Sequence, residues 1–303
     1  MIAEKTFLIT GGTGLVGRRL TELLLASGHG VKHLSRTPRS DGQVKTFLWN
    51  VAESYVDPEA LDGVDVVVHL AGAAIVDNQW SDARRKELLN SRVETLNLLK
   101  RALVGNPHRV RTLISASAQG YYEPSQSRVL REDDAPEAGF LGQLCVAWEA
   151  AATSWGENDV RVVINRIGLV LSNQGGLLKA ISGPLKKRMS AVFGTGSQIY
   201  SWIHVNDLCK MIMFQADDES VHGIFNAAAP NPVSQSELSR AIATKMGQSV
   251  LALRAPKFLL HAVMGDRAGV LVNSFNLSSD KIQGAGYDFQ YKTISQALAD
   301  LLE

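Results

Sequence analysis

The chain has almost none of the residues that cross-link a fold or hold a structural metal. It carries two cysteines in 303 residues, Cys145 and Cys209, and no Cys-x-x-Cys pair. A disulfide framework and a zinc finger are therefore excluded as its organising principle, and no metal site is expected. An excess of one charge sign is also missing: 31 Lys and Arg against 30 Asp and Glu leave a net +1. Nucleic-acid and membrane surfaces need a marked cationic excess, so neither partner is expected. No apolar run reaches the ~20 residues of a transmembrane helix. The first strand-like run begins within a few residues of Met1, which leaves no room for a secretory leader; cytoplasm is the expected compartment. No repeat, low-complexity tract or linker interrupts the chain. Composition is 45% hydrophobic and 20% charged, that of an ordinary globular protein with a core large enough for one big domain or two interlocked ones.

Glycine, by contrast, is concentrated where it matters. Thr10-Gly11-Gly12-Thr13-Gly14-Leu15-Val16-Gly17 directly follows the apolar run Thr6-Phe7-Leu8-Ile9. A helix is expected over Leu15–Ala26. Strand, glycine loop and helix in this order form the context of a dinucleotide fingerprint. Gly11 allows a tight turn, Gly14 lets backbone approach a pyrophosphate, and Gly17 lets the helix lie close on the strand. The helix N-terminus presents free N–H groups to phosphate.

Strand-like and helix-like runs alternate onward. Strands are expected at Val31–Leu34, Thr46–Trp49, Val64–Leu70, Arg111–Ser115 and Val160–Asn165, with helices over Ser81–Leu103 and Leu141–Trp155 between them. This alternation implies a Rossmann-like doubly wound parallel α/β sheet that binds its ligand at the carboxyl ends of the strands. The expected division is a nucleotide-binding domain over 1–171, with 204–227 returning to it, and a smaller α/β substrate lobe over 172–303. In that lobe Ser234 and Glu237 have capping-box spacing for a helix over Ser234–Met246. Further helices are expected at Pro256–Met264 and Ile294–Leu302.

The second strand ends at His33-Leu34-Ser35-Arg36, without the carboxylate that would hold the ribose 2′-hydroxyl of NAD. Arg36 suits a 2′-phosphate instead, with Ser35 adding a hydrogen bond, so NADP(H) is the expected cofactor. Leu70-Ala71-Gly72 ends the long apolar strand with small residues beneath the adenosine half. Lys86 and Ser91 on the next helix lie within reach of the cofactor, although on a helix rich in surface charge Lys86 fits a solvated side chain better. Arg166, ending the strand after Val160, faces the expected nicotinamide end. His69, inside an apolar strand, reads as a core histidine. His204 and Asp207 read as structural, with Asp207 capping the helix that follows. The basic run Pro184-Leu185-Lys186-Lys187-Arg188 fits a solvated face or a phosphate contact.

These motifs, together with Ser115-Ala116-Ser117 and Trp202-Ile203-His204-Val205-Asn206-Asp207, resemble the extended short-chain dehydrogenase/reductase superfamily over nearly the whole chain. Ser117-Ala118-Gln119-Gly120-Tyr121-Tyr122, Cys145-Val146-Ala147-Trp148-Glu149 and Gly194-Thr195-Gly196-Ser197-Gln198 are similar to its atypical nucleotide-sugar-epimerase-like branch, as is the C-terminal run from Ala255-Pro256 through Gly286-Tyr287-Asp288-Phe289. The resemblance implies NADP(H) in the groove and a small-molecule substrate, a nucleotide sugar or a carbonyl compound.

It also implies a Ser followed by Tyr-x-x-x-Lys. Ser117 fits the first role. In the family register of Trp148-Glu149, however, the Tyr position falls on Leu141 and the Lys position on Cys145, and no Tyr-x-x-x-Lys occurs in the chain. Leu141 has no proton to give. Cys145, with an ordinary thiol pKa of about 8.5, supplies no fixed cation. Tyr121 and Tyr122 are the candidate replacements, Tyr121 being assigned with Ser117 as the catalytic pair, and Arg166 as a source of charge. Two functions follow: an NADP(H)-dependent oxidoreductase or epimerase-like enzyme, and a non-catalytic NADPH-binding redox sensor.

Overall fold

In the computed structural model residues 4–37, 44–105, 108–185, 189–248 and 251–302 are described. The first half runs β1 (Thr6–Thr10), α1 (Leu15–Ala26), β2 (Gly30–Ser35), β3 (Lys45–Asn50), β4 (Tyr55–Val56), β5 (Val66–His69), α2 (Asp82–Val104), β6 (Thr112–Ala118), α3 (Phe140–Thr153) and β7 (Arg161–Ile167). It continues through β8 (Leu169–Ser172), α4 (Gly176–Leu185), β9 (Met189–Phe193), β10 (Ile199–Tyr200), β11 (Trp202–His204), α5 (Val205–Asp217) and β12 (Gly223–Ala227). The rest is β13 (Val233–Ser234), α6 (Gln235–Lys245), β14 (Leu251–Ala255), α7 (Lys257–Met264), α8 (Gly269–Val272), α9 (Asp280–Gly284) and α10 (Ile294–Leu301).

Eight strands form one sheet in the order β12-β7-β6-β5-β1-β2-β3-β4. Every pairing in it is parallel except β3 with β4. Strand order reverses at β1, with β2 on one side and β5 on the other, which opens a crevice at their carboxyl ends. β5 is buried along its length, as a parallel strand covered by helices on both faces must be. One face is covered by α1 and α5 through Leu20, Leu24, Leu208, Met211 and Ile212. The other is covered by α2 and α3 through Leu96, Leu99, Leu103, Trp148 and Ala152. A third core beyond the sheet gathers Leu171, Tyr200, Trp202, Leu238, Ile242 and Leu298.

Helix starts follow local chemistry. Ser81 caps α2 by accepting from the Arg84 N–H, and Ser234 and Glu237 form the expected capping box on α6. At α5 the cap is His204, whose Nδ1 accepts from Asn206 N at 3.0 Å, and not Asp207 as the sequence suggests. Asp207 is drawn away by stronger demands. Its carboxylate accepts from Gln290 N (2.9 Å), Tyr291 N (2.9 Å) and the Tyr287 hydroxyl (3.3 Å), tying α5 to the C-terminal segment.

His69 is fully buried; its Nε2 lies 2.9 Å from Thr95 Oγ1 and its Nδ1 has no partner. Burial, and then the Arg92 charge, hold its imidazole down to about 3 from 6.5. Folded His69 therefore stays neutral while the unfolded chain takes up a proton below pH 6.5. Its contribution is intact above that pH and drains away towards pH 3, at up to about 1.4 kcal/mol per pH unit. Urea unfolding between pH 7 and pH 4 is expected to lose stability more steeply in the wild type than in His69→Leu. Equal slopes would remove His69 as the cause.

Candidate active site at the carboxyl ends of the strands

The loop between β1 and α1 is shaped by close backbone approaches. Gly11 has φ +71°, and a Cβ there would stand 2.9 Å from the Leu70 carbonyl carbon and oxygen. A Cβ on Gly17 would lie 2.7 Å from Gly12 Cα and closer still to the Gly11 oxygen, so α1 seats on the loop only without it. A Cβ on Gly12 would enter the ring of His33, which is held at 2.8 Å by Thr21 Oγ1. Gly14 differs. Its outward side is exposed, and a Cβ there would meet just the Gly11 oxygen at 3.1 Å. It begins α1 with no side-chain cap and no acid in the first turn. Thr13 is exposed beside it, and Leu15 and Val16 open the helix half-buried. The result is a cradle of backbone open to an anion.

The neighbouring strand ends complete the crevice. β2 ends at Ser35, whose Oγ accepts from Thr37 N at 3.2 Å, and Arg36 follows, exposed. Leu70 N and Ala71 N donate to Thr10 Oγ1 at 3.2 and 3.1 Å, which brings the Leu70-Ala71-Gly72 turn beside the glycine loop. Ser91 Oγ accepts from Ala73 N at 3.0 Å, so it fixes this turn. Lys86 lies exposed on α2.

Beyond the loop lies a buried polar network. β6 runs on to Ala118, so Ser117 sits inside the strand and not after it, 2% exposed. Its hydroxyl donates to Glu149 Oε1 at 2.6 Å. Arg166, 1% exposed, clamps the same carboxylate with Nε on Oε1 and Nη2 on Oε2, each at 2.8 Å. Its Nη1 donates to the Tyr122 hydroxyl (2.8 Å) and the Glu132 carbonyl (3.0 Å). Tyr122 in turn donates to Asn226 Oδ1 at 2.7 Å. Burial alone would lower the Arg166 guanidinium, but the bonds to Glu149 and Tyr122 raise it above its ordinary value. Burial pushes the Tyr122 hydroxyl up. Expected from the sequence to offer charge to a cofactor, Arg166 is instead neutralised within the protein. Tyr121 is half-buried, with the Arg166 guanidinium 3.3 Å from its ring centroid.

A cavity of about 190 Å³ opens next to this network, lined by Ala118, Gln119, Leu141, Cys145, Trp148 and Arg92 on one side. Gly269, Val270, Asn273 and Phe275 of the C-terminal segment form another wall. Leu141 and Cys145 stand one turn apart on α3 and both face it, whereas Ser117, Tyr121 and Arg166 are not part of its lining. Burial, then the Glu149 charge, push the Cys145 thiol up to about 12. A shallower depression of about 520 Å³ lies between Glu132 and Lys281 beside Gly223 and Ile224, where β12 begins. Sequence reasoning did not single out Arg92 or Asn273, which bear no motif of their own, and it met Gln119 just as one member of the run Ser117–Tyr122. Of the basic run at 184–188, Lys186-Lys187-Arg188 lies outside the described residues. No group of three or more His, Cys, Asp or Glu placed for a metal occurs among the described residues, and no described helix is long and apolar enough to cross a membrane.

Sheet order, glycine cradle and edge cavity together define a Rossmann-type α/β protein of the short-chain dehydrogenase/reductase kind. The family model described as "NAD dependent epimerase/dehydratase family" matches residues 7–228, and a "Domain of unknown function (DUF1731)" matches residues 255–301. The chain belongs to the NAD dependent epimerase/dehydratase family. It is 32% identical over 303 residues to epimerase family protein SA0724 of Staphylococcus aureus, covering 99% of each chain. It is 34% identical over 299 residues to epimerase family protein MT2273 of Mycobacterium tuberculosis, covering 98% of this chain and 97% of the other. Among solved structures it is similar to human epimerase family protein SDR39U1 crystallised with NADPH, with TM-score 0.88, 28% identity and 98% of each chain covered. A nucleoside-diphosphate sugar epimerase of Corynebacterium glutamicum gives TM-score 0.79 at 29% identity, over 99% of this chain and 58% of the other.

Removing Glu149 strands Arg166 in the interior. Glu149→Ala is expected to cost about 3–5 kcal/mol of stability in urea unfolding. Ser117→Ala removes one hydrogen bond to a charged group and is expected to cost about 1.5–3 kcal/mol. If Glu149→Ala costs no more than Ser117→Ala, the network is not what holds these elements together.

Proposed function

We propose that the chain is an NADP(H)-dependent oxidoreductase acting on a small carbonyl compound. The observation that carries this reading is the cradle. Internal packing requires glycine at 11, 12 and 17, whereas Gly14 is left open to the outside at an uncapped helix start. Residues Gly11–Gly17 would hold the pyrophosphate on backbone N–H groups. Ser35 and Arg36 would meet a 2′-phosphate, while Leu70-Ala71-Gly72 pass beneath the adenosine, with Ser91 holding that turn. NADPH, the molecule bound in the human relative, would when held there supply a hydride from its nicotinamide ring. The residues beyond the sheet serve as a substrate lobe, closing the cavity through Asn273 and Phe275. A cavity of about 190 Å³ favours a small carbonyl compound over a nucleotide sugar.

Among the described residues, no side chain lining the cavity is poised as a general acid near neutral pH. Leu141 is apolar and the Cys145 thiol is pushed up to about 12. Ser117 and Tyr121 stay committed to Glu149 and Arg166. The proton that completes carbonyl reduction therefore comes from water, at a turnover about 100- to 10,000-fold below that with a positioned acid. The same lack of an acid favours a second reading, a non-catalytic NADPH-binding redox sensor. That reading requires a partner or oligomer that changes with NADPH occupancy, which light scattering and pull-down with and without NADPH would detect.

Fluorescence titration with NADPH and NADH tests the cofactor assignment. Tight NADPH binding is expected, with at least about tenfold weaker NADH. Arg36→Glu should abolish that preference, and Gly17→Ala should weaken both. Binding of neither cofactor would overturn the reading. Loss of NADPH absorbance with carbonyl compounds then separates enzyme from sensor.

A further inference from the structure

Two arginines are buried beside the cavity, and the fold neutralises one of them. Arg166 has Glu149. Arg92, 7% exposed on the sheet-facing side of α2, has no carboxylate partner among the described residues. Its Nη1 donates to the Leu88 carbonyl (2.9 Å) and to Ser91 Oγ (3.3 Å), and its Nη2 to the Ala73 carbonyl (3.0 Å). A guanidinium has five N–H donors, so these three bonds leave two without an acceptor. Its carbon lies 5.0 Å from the Trp148 ring centroid and 2.9 Å from where a Cβ on Gly72 would stand. The packing is tight, and the position lines the cavity. Burial lowers this guanidinium to about 10, which leaves it charged at neutral pH. A charge held in a poorly solvated place without its counter-ion is rare in proteins, because desolvation then goes uncompensated.

A second observation concerns the other cavity groups. The Trp148 indole N–H and the Gln119 side-chain oxygen are both buried without a partner. Among the described residues no acid lines the cavity. Cys145 stays a neutral thiol there, and His69, the neighbouring histidine, stays a neutral imidazole. Ile75, Leu141, Leu144 and Phe275 make the remaining walls apolar. The site thus combines an unneutralised cation and an unpaired donor with an apolar sleeve.

We infer that Arg92 anchors the substrate through an anionic group, so that the cavity takes a small carbonyl compound bearing a carboxylate. The carboxylate would meet the free N–H donors of Arg92, and the apolar body would lie between Leu141, Leu144 and Phe275. This rests on the oxidoreductase reading of the same site. Arginine is suited to the task because its planar fork matches a carboxylate and keeps its charge when buried.

Calorimetric titration of the protein loaded with NADP⁺, which has no hydride to give to the probes, tests the inference directly. The probes are pyruvate and phenylpyruvate, each compared with its neutral amide. The acids are expected to bind at least roughly 100-fold more tightly than the amides. Arg92→Gln should erase that difference, and Arg92→Lys should keep part of it. Should Arg92→Gln fail to give a cooperative melt, the comparison of acid with amide on the wild type still decides. Equal binding of acid and amide, or no binding of any of the four, overturns the inference. So does an Arg92→Gln variant that keeps the acid preference, or that loses NADPH affinity alone, which would assign Arg92 to the cofactor. Failure of the oxidoreductase reading shows separately, as absent NADPH binding in the prior titration.

Discussion

The Glu149 carboxylate accepts at once from the Ser117 hydroxyl and from two nitrogens of Arg166, all between 2.6 and 2.8 Å. Through these bonds α3, β6 and β7 are locked at their site-facing ends, and Tyr122 extends the lock to Asn226 on β12. A bidentate pair taken out of water gains stability only when its geometry is right and further hydrogen bonds support it, and here the Ser117 hydroxyl adds a third bond to the carboxylate. The rest of the site depends on that arrangement. It fixes the strand ends against which the cavity is built, and it occupies the side chains that would otherwise be open to chemistry.

The cavity itself is organised by contrast. α3 presents Leu141 and Cys145 to the cavity, so that helix contributes shape and almost no charge. The positive charge reaches the cavity from the opposite helix, α2. The buried positions of α2 are Leu88, Arg92, Thr95, Leu96, Leu98, Leu99 and Leu103, so Arg92 is the charged member of a mainly leucine stripe. Position, more than residue count, makes the site cationic.

Much of the fold was legible because its signals are local. Leu15–Ala26 is bounded by the glycine loop and by Ser27-Gly28, and the helix has those bounds. The Ser234 and Glu237 spacing specified α6, and the unbroken valines of Val66–Val68 marked a doubly covered strand. The glycine pattern revealed the cradle for the same reason: backbone geometry and glycine are tied by sterics at that very position. What escaped was set by long-range partners. Asp207 sits three residues into α5 and looks like a cap until residues 287–291 fold back on it. The strand expected over Arg111–Ser115 stops short of Ser117, whereas pairing with β7 carries β6 through to Ala118. The pairing of Arg166 with Glu149, seventeen residues apart on different elements, has no signature along the chain. Nor does the isolation of Arg92, which is defined by charges that are elsewhere.

The two family segments meet in the cavity wall. Residues 7–228 supply Arg92, Gln119 and Trp148, and residues 255–301 supply Val270, Asn273 and Phe275. Asp207 ties them by accepting from both Gln290 and Tyr291, and His204 stacks on Tyr291 at 3.8 Å. The C-terminal segment is thus not a detachable module, and transplanting it from a relative would recut the pocket along with the seam. A chimaera joined between residues 228 and 255 would set one parent's cavity wall against the other's, so a change on either side of that wall calls for an answering change across it.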